Sequence, residues 1–114
     1  MSPVMEQKSF ALRGNIQKVM FRQTFIRALI KRGLKGGASN HPNDKKLVHT
    51  SIEGDQKAIE SLIRDLLSLP KLNSWGAKVD ESDELENFIP IKDHQVTTSN
   101  VDDFAWNPSV IFYL

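Results

Sequence analysis

Along this chain the first clear pattern is an alternation. Over residues 8–13 the apolar Phe10 and Leu12 are separated by Ser9, Ala11 and Arg13, and that period of two predicts a half-buried strand. Residues 14–20 carry no period. From Phe21 onward, Phe21, Phe25, Ala28 and Leu29 recur at helical spacing, and Gly33 supplies the left-handed residue that commonly closes a helix. Residues 35–40 include Gly36, Gly37, Ala38 and Ser39, all poor strand formers, so it is their place between stronger elements that predicts a strand there. Pro42, Asn43 and Asp44 mark a turn, and residues 47–53 form the matching hairpin arm.

A second helix is expected after Gly54, with Asp55 as its N-cap and Ala58, Ile59, Leu62, Ile63 and Leu66 as one apolar stripe. Pro70 prevents it from continuing. Trp75, Ala77 and Val79 alternate as a fourth strand; the acidic run 81–86 reads as a solvated loop leading to a short strand over 88–91. Strand, helix, strand, strand, helix, strand is the order of an α+β, ferredoxin-like βαββαβ sandwich, an antiparallel sheet with two helices on one face. Residues 93–114 fall outside that order. Their polar start and their apolar end, with Phe104, Trp106 and the run 110–114, predict a C-terminal extension that packs on the domain or on a partner. The expected division is therefore a domain over 1–92 and an extension over 93–114, with the extension placed against the basic half as an added strand or cover.

A chain of 114 residues with 39% hydrophobic and 25% charged residues fits one globular domain. The absence of cysteine excludes disulfides, thiolate metal sites and cysteine nucleophiles. No segment approaches the roughly 20 apolar residues of a membrane span, and the first ten lack the apolar centre of a signal peptide, so the expectation is a cytoplasmic protein with no membrane contact. His41, His49 and His94 show no metal-ligand spacing. Charge is uneven: residues 1–50 hold ten Lys or Arg against two acids, and residues 51–114 five against twelve. The first half is the natural partner of an anion, unless the two halves interleave on folding.

The loop between the first strand and first helix concentrates that chemistry. A loop feeding a helix presents N–H groups without intrahelical partners, and the helix dipole adds partial positive charge at the same place. Arg22 at the helix entrance adds a planar, permanently charged fork that matches two phosphate oxygens.

The residues of that loop also resemble a known family. Gly14-x-Ile16-Gln17-x-Val19-x-Phe21-Arg22, then Gly33-Leu34-x-Gly36-x-x-x-Asn40, then Glu53-Gly54-Asp55 are similar to the acylphosphatases in order and spacing, over about residues 6–92. The resemblance implies the same ferredoxin-like fold. It also implies hydrolysis of the carboxyl-phosphate anhydride of a small-molecule acyl phosphate, to carboxylate and inorganic phosphate, with no metal and no cofactor. By the same resemblance Arg22 and Asn40 are catalytic, Asn40 holding the attacking water. Gln17, Lys18, Val19, Met20, Phe21 and Arg22 form the phosphate cradle, which inorganic phosphate or sulfate would also occupy. A monomer is expected.

Two departures stand out. Lys18 occupies a position usually held by glycine, and Gly37-Ala38 replace the bulkier pair common before the asparagine. They motivate one alternative, a catalytically weak phosphate-binding or regulatory module of the same fold. A nucleic-acid binder of this element order would need exposed aromatics on its central strands, whereas Ala11, Arg13, His49 and Ser51 include none.

Overall fold

The structure, a computed structural model, describes residues 4–114; residues 1–3, where the expected domain begins, lie outside the described residues. Strand β1 (Met5–Asn15) leads through a short loop into helix α1 (Phe21–Lys31). Strands β2 (Lys35–Asn40) and β3 (Leu47–Asp55) form the hairpin. Helix α2 (Gln56–Ser68) and strand β4 (Lys78–Glu84) follow, and a two-residue strand β5 (Val96–Thr97) comes last. The sheet order is β4-β1-β3-β2-β5, antiparallel at each pairing. Its first four strands and two helices make the ferredoxin-like α+β fold.

The apolar positions explain the layering. Phe10 and Leu12 from β1, Val48 and Ile52 from β3, Phe21, Phe25 and Leu29 from α1, and Ile59, Leu62 and Leu66 from α2 are buried in one cluster. Burying both helical stripes against one sheet face removes them from water together, each large side chain contributing about 1.5–3 kcal/mol. Gly33 takes φ 71° just after α1, the left-handed turn expected there.

Four local expectations are corrected. Asp55 stands at the N-cap of α2, but its side chain makes no capping bond. The acidic run is not a loop: Glu81, Asp83 and Glu84 pair with Arg13, Ala11 and Phe10, because an edge strand keeps one side in water and tolerates charge there. Trp75 lies before that strand and is 40% exposed. Finally, residues 88–91 form no strand. Ser9 Oγ accepts the Ile89 N–H at 2.9 Å and Ser51 Oγ donates to the Ile89 carbonyl, so serine side chains replace a strand ladder. Pro90 has no N–H to offer one.

Those bonds describe a strap. After β4 the chain crosses the sheet face opposite the helices, with a 3₁₀ turn at Ile91–Asp93, and reaches the far edge as β5 beside β2. The rest of the tail continues past a second 3₁₀ turn, Val101–Asp103, to the α2–β4 connection. There Asn73 and Phe112 form a bridge, the Tyr113 N–H donates to the Leu72 carbonyl at 2.9 Å, and Val110 and Leu114 are buried. The charge halves do interleave: Lys8–Glu84, Arg27–Asp102 and Arg32–Asp65 each join one half to the other. No helix is long and apolar enough to cross a membrane among the described residues.

Candidate active site

Three groups of residues meet at the C-terminal end of β1. The β1–α1 loop is bent by two non-glycine residues with positive φ, Lys18 at 65° and Met20 at 60°. Such a conformation costs about 1–2 kcal/mol for each residue with a Cβ. Lys18 therefore does adopt the backbone shape for which glycine is suited. Met20, a cradle residue whose side-chain type raised no question of backbone shape, carries the same strain.

What holds the loop in that shape is visible in its carbonyls. The Val19 carbonyl accepts from Asn73 Nδ2 at 2.7 Å, and the Met20 carbonyl accepts from the Thr24 N–H at 3.0 Å and from Thr24 Oγ1 at 2.7 Å. Across a trans peptide the carbonyl and the next N–H point in opposite directions. Pinning these two carbonyls inward thus turns the N–H groups of Met20 and Phe21 outward. No backbone carbonyl among the described residues accepts the N–H of Lys18, Val19, Met20, Phe21 or Arg22. Helix α1 also starts without a side-chain cap and with no acidic residue in its first turn, so its dipole is not offset there. A left-handed residue followed by a helical one, as at Met20 and Phe21, is an anion-binding nest of N–H groups.

Arg22 and Asn40 line one cavity of about 220 Å³, together with Ile16, Lys18, Met20, Phe21, Gln23, Val96, Phe104 and Ala105. Arg22 is partly buried, and that burial lowers its pKa from the usual value. Among the described residues no carboxylate pairs with it; Nη1 donates to the neutral Gln95 Oε1 at 2.8 Å. The same Oε1 accepts the Asn40 N–H at 2.9 Å. Asn40 Oδ1 is buried and has no hydrogen-bond partner among the described residues.

The remaining cradle residues divide. Lys18, Met20 and Phe21 line the cavity, whereas Gln17 and Val19 do not. The Gln17 side chain instead donates to the Asp44 carbonyl at 2.9 Å and the Leu47 carbonyl at 3.0 Å, fastening the β2–β3 turn to the loop. Val19 packs its side chain against the core.

Gln95, Asn73 and Thr24 are functional positions that neither the motif nor the periodicity singled out. Asn73 is fully buried and saturated: Nδ2 serves Val19 and Thr24, while Oδ1 accepts the N–H groups of Trp75 and Ala77. An asparagine beside Ser74 and Gly76 signals a turn, but nothing in the sequence distinguishes a solvated turn from a buried keystone. A larger groove of about 710 Å³ lies at the other end of β1, walled partly by Glu6 and Glu53, and so is ill suited to a phosphate.

The family model for Acylphosphatase matches residues 8–104. The chain belongs to the acylphosphatase family. Among solved structures it is similar to full-length HypF in a phosphate- and nucleotide-bound form, with 27% identity and a TM-score of 0.60, over 83% of this chain and 12% of that one. The chain thus spans about an eighth of HypF. It is also similar to the acylphosphatase from Bacillus subtilis, with 24% identity and a TM-score of 0.56, over 75% of this chain and 92% of that one. A third match is an acylphosphatase from Coxiella burnetii, with 20% identity and a TM-score of 0.59, over 80% of this chain and 87% of that one. The last two support the acylphosphatase fold. No curated protein matches.

Proposed function

We propose that the protein is an acylphosphatase, acting as a cytoplasmic monomer on a small-molecule acyl phosphate without a metal or cofactor. The observation that carries this is the meeting of Arg22, the outward loop N–H groups and Asn40 at one cavity. A half-buried guanidinium with no carboxylate partner among the described residues is a cation in want of an anion, and the uncapped helix adds to the same field.

The acyl phosphate leaves as a carboxylate, an anion that needs no strong general acid. Phosphoryl transfer then depends mainly on positioning and on charge stabilisation at the phosphoryl oxygens. Arg22 binds two of those oxygens, and the N–H groups of Met20 and Phe21 bind the loop-facing oxygen. Asn40 Oδ1, a buried acceptor, accepts a hydrogen bond from one O–H of the attacking water, which keeps that proton, and so aims the water oxygen at phosphorus. The bond from water oxygen to phosphorus forms as the bond from phosphorus to the carboxylate oxygen breaks. The water's second proton passes to a phosphoryl oxygen, giving inorganic phosphate.

Hydrolysis of benzoyl phosphate, followed by loss of its ultraviolet absorbance, tests this directly. Turnover by the protein and its loss in Arg22→Ala are expected. Phosphate binding without turnover would make the protein a phosphate-binding module instead, and neither binding nor turnover would overturn the site.

A further inference from the structure

We propose that Gln95 is a positioning residue of the phosphate site, a neutral clamp that holds the Arg22 guanidinium and the end of β2 together for the incoming anion. The proposal rests on the acylphosphatase reading of the site. One oxygen, Gln95 Oε1, accepts from Arg22 Nη1 at 2.8 Å and from the Asn40 N–H at 2.9 Å. It therefore ties the first turn of α1 to the strand end that carries Asn40.

The backbone that presents Gln95 is itself fixed on both sides. After it, Val96 pairs with Ala38 in β2. Before it, His94 is 7% exposed, with Nδ1 3.0 Å from Ser39 Oγ and Nε2 2.8 Å from Ser51 Oγ. Donors and acceptors there admit one consistent assignment. Ser51 Oγ gives its proton to the Ile89 carbonyl, so it accepts from His94 Nε2–H. His94 Nδ1 then accepts from Ser39 Oγ, which accepts the Gln95 N–H at 2.9 Å. Gly37 makes room for the ring: a Cβ there would lie 2.6 Å from His94 Cβ. The small residue that departs from the family's usual pattern is thus the one that lets the strap carry Gln95 to the site.

An amide suits this place where a carboxylate would not. A guanidinium has five N–H donors, and Gln95 occupies only Nη1, leaving Nε and Nη2 for phosphate oxygens. A carboxylate in the same position would form a charge-assisted pair with Arg22 and cancel the charge that the phosphate needs. The amide oxygen orients without neutralising.

Benzoyl phosphate kinetics and competitive inhibition by inorganic phosphate, on wild type, Gln95→Ala and Gln95→Glu, test the clamp. In Gln95→Glu the KM and the inhibition constant of phosphate should both rise about tenfold or more, with Tm at or above the wild-type value. In Gln95→Ala, kcat/KM should fall about tenfold with little change in Tm, since the side chain is exposed. Both variants within twofold of an active wild type would overturn the clamp alone. So would a fall in Tm in both with an unchanged phosphate inhibition constant, because that is a merely structural role. A wild type that neither binds phosphate nor turns over would overturn the clamp together with the site it serves.

Discussion

Arg22 and Arg27 lie on the same helix, yet their surroundings differ in the property that matters for an anion. Arg27 Nη2 is 3.3 Å from Asp102 Oδ1, Nε donates to Gln23 Oε1 at 3.1 Å, and the guanidinium stands 4.7 Å from the centre of the Trp106 ring. Its charge is already matched, and it secures the tail. Among the described residues Arg22 is held by an amide oxygen and by no carboxylate, and it lines one cavity with Lys18, Met20 and Phe21 of the loop. Being basic and near a helix end does not make a site; desolvation without a counter-charge, beside convergent donors, does.

The sharpest way to break that comparison is to remove each charge in turn. Arg22→Ala is expected to lower kcat/KM for benzoyl phosphate by about a thousandfold, the scale of losing a preorganised donor at a charged transition state. Arg27→Ala should stay within about threefold and cost about 1 kcal/mol in urea denaturation, as for a partly exposed ion pair with a cation–π contact. Equal losses would show that both arginines merely build the fold.

Asn40→Ala addresses the water rather than the anion. A loss of about a hundredfold in kcat is expected, with the inhibition constant of phosphate changed much less. A loss confined to KM would place Asn40 in binding instead.

Asn73→Ala separates the loop's shape from its charge. Four hydrogen bonds end on this buried side chain, so unfolding free energy should drop by about 2–3 kcal/mol, measured by urea denaturation. Freed of its tie to Asn73, the Val19 peptide should also bind phosphate less tightly.

The smallest expected effect is one of pH. Burial, then the nearby charge of His49, lowers the His94 pKa below its usual 6.5, although Asp93 opposes the shift. His49 is lowered as well, by burial and then by His41. For a base whose folded pKa is depressed, the unfolded chain binds the extra proton first. Stability is therefore fully present above about pH 6.5 and declines as pH falls from there through the folded pKa. Replacing His94 by Gln should flatten part of that slope in thermal melts recorded between pH 7.5 and about 5. A slope unchanged in the variant would assign the whole effect to His49.

How much of this was legible in the sequence follows from the kind of force involved. Apolar periodicity located β1 and both helices, because burial of Phe10, Leu12, Phe25 or Leu62 leaves a repeating trace, whereas the β2–β3 hairpin was legible from its turn residues and from its place between those elements. The loop and Arg22 were legible as a motif. The face across from the helices was not, since Ser9, Ser39, Ser51 and His94 meet through polar bonds between residues far apart in the chain. For the same reason residues 88–91 were expected as a strand, and Gln95 passed as one polar residue among many. The acidic run misled because charge usually marks a loop, whereas here β1 offered an unpaired edge.

The central claim is that phosphate binds to the N–H groups that open α1, with Arg22. Amide chemical shifts followed by nuclear magnetic resonance during a titration with inorganic phosphate test it most directly. The largest changes should fall on Met20, Phe21 and Arg22, saturate together, and vanish in Arg22→Ala. Changes centred elsewhere, or the same changes persisting without Arg22, would contradict it.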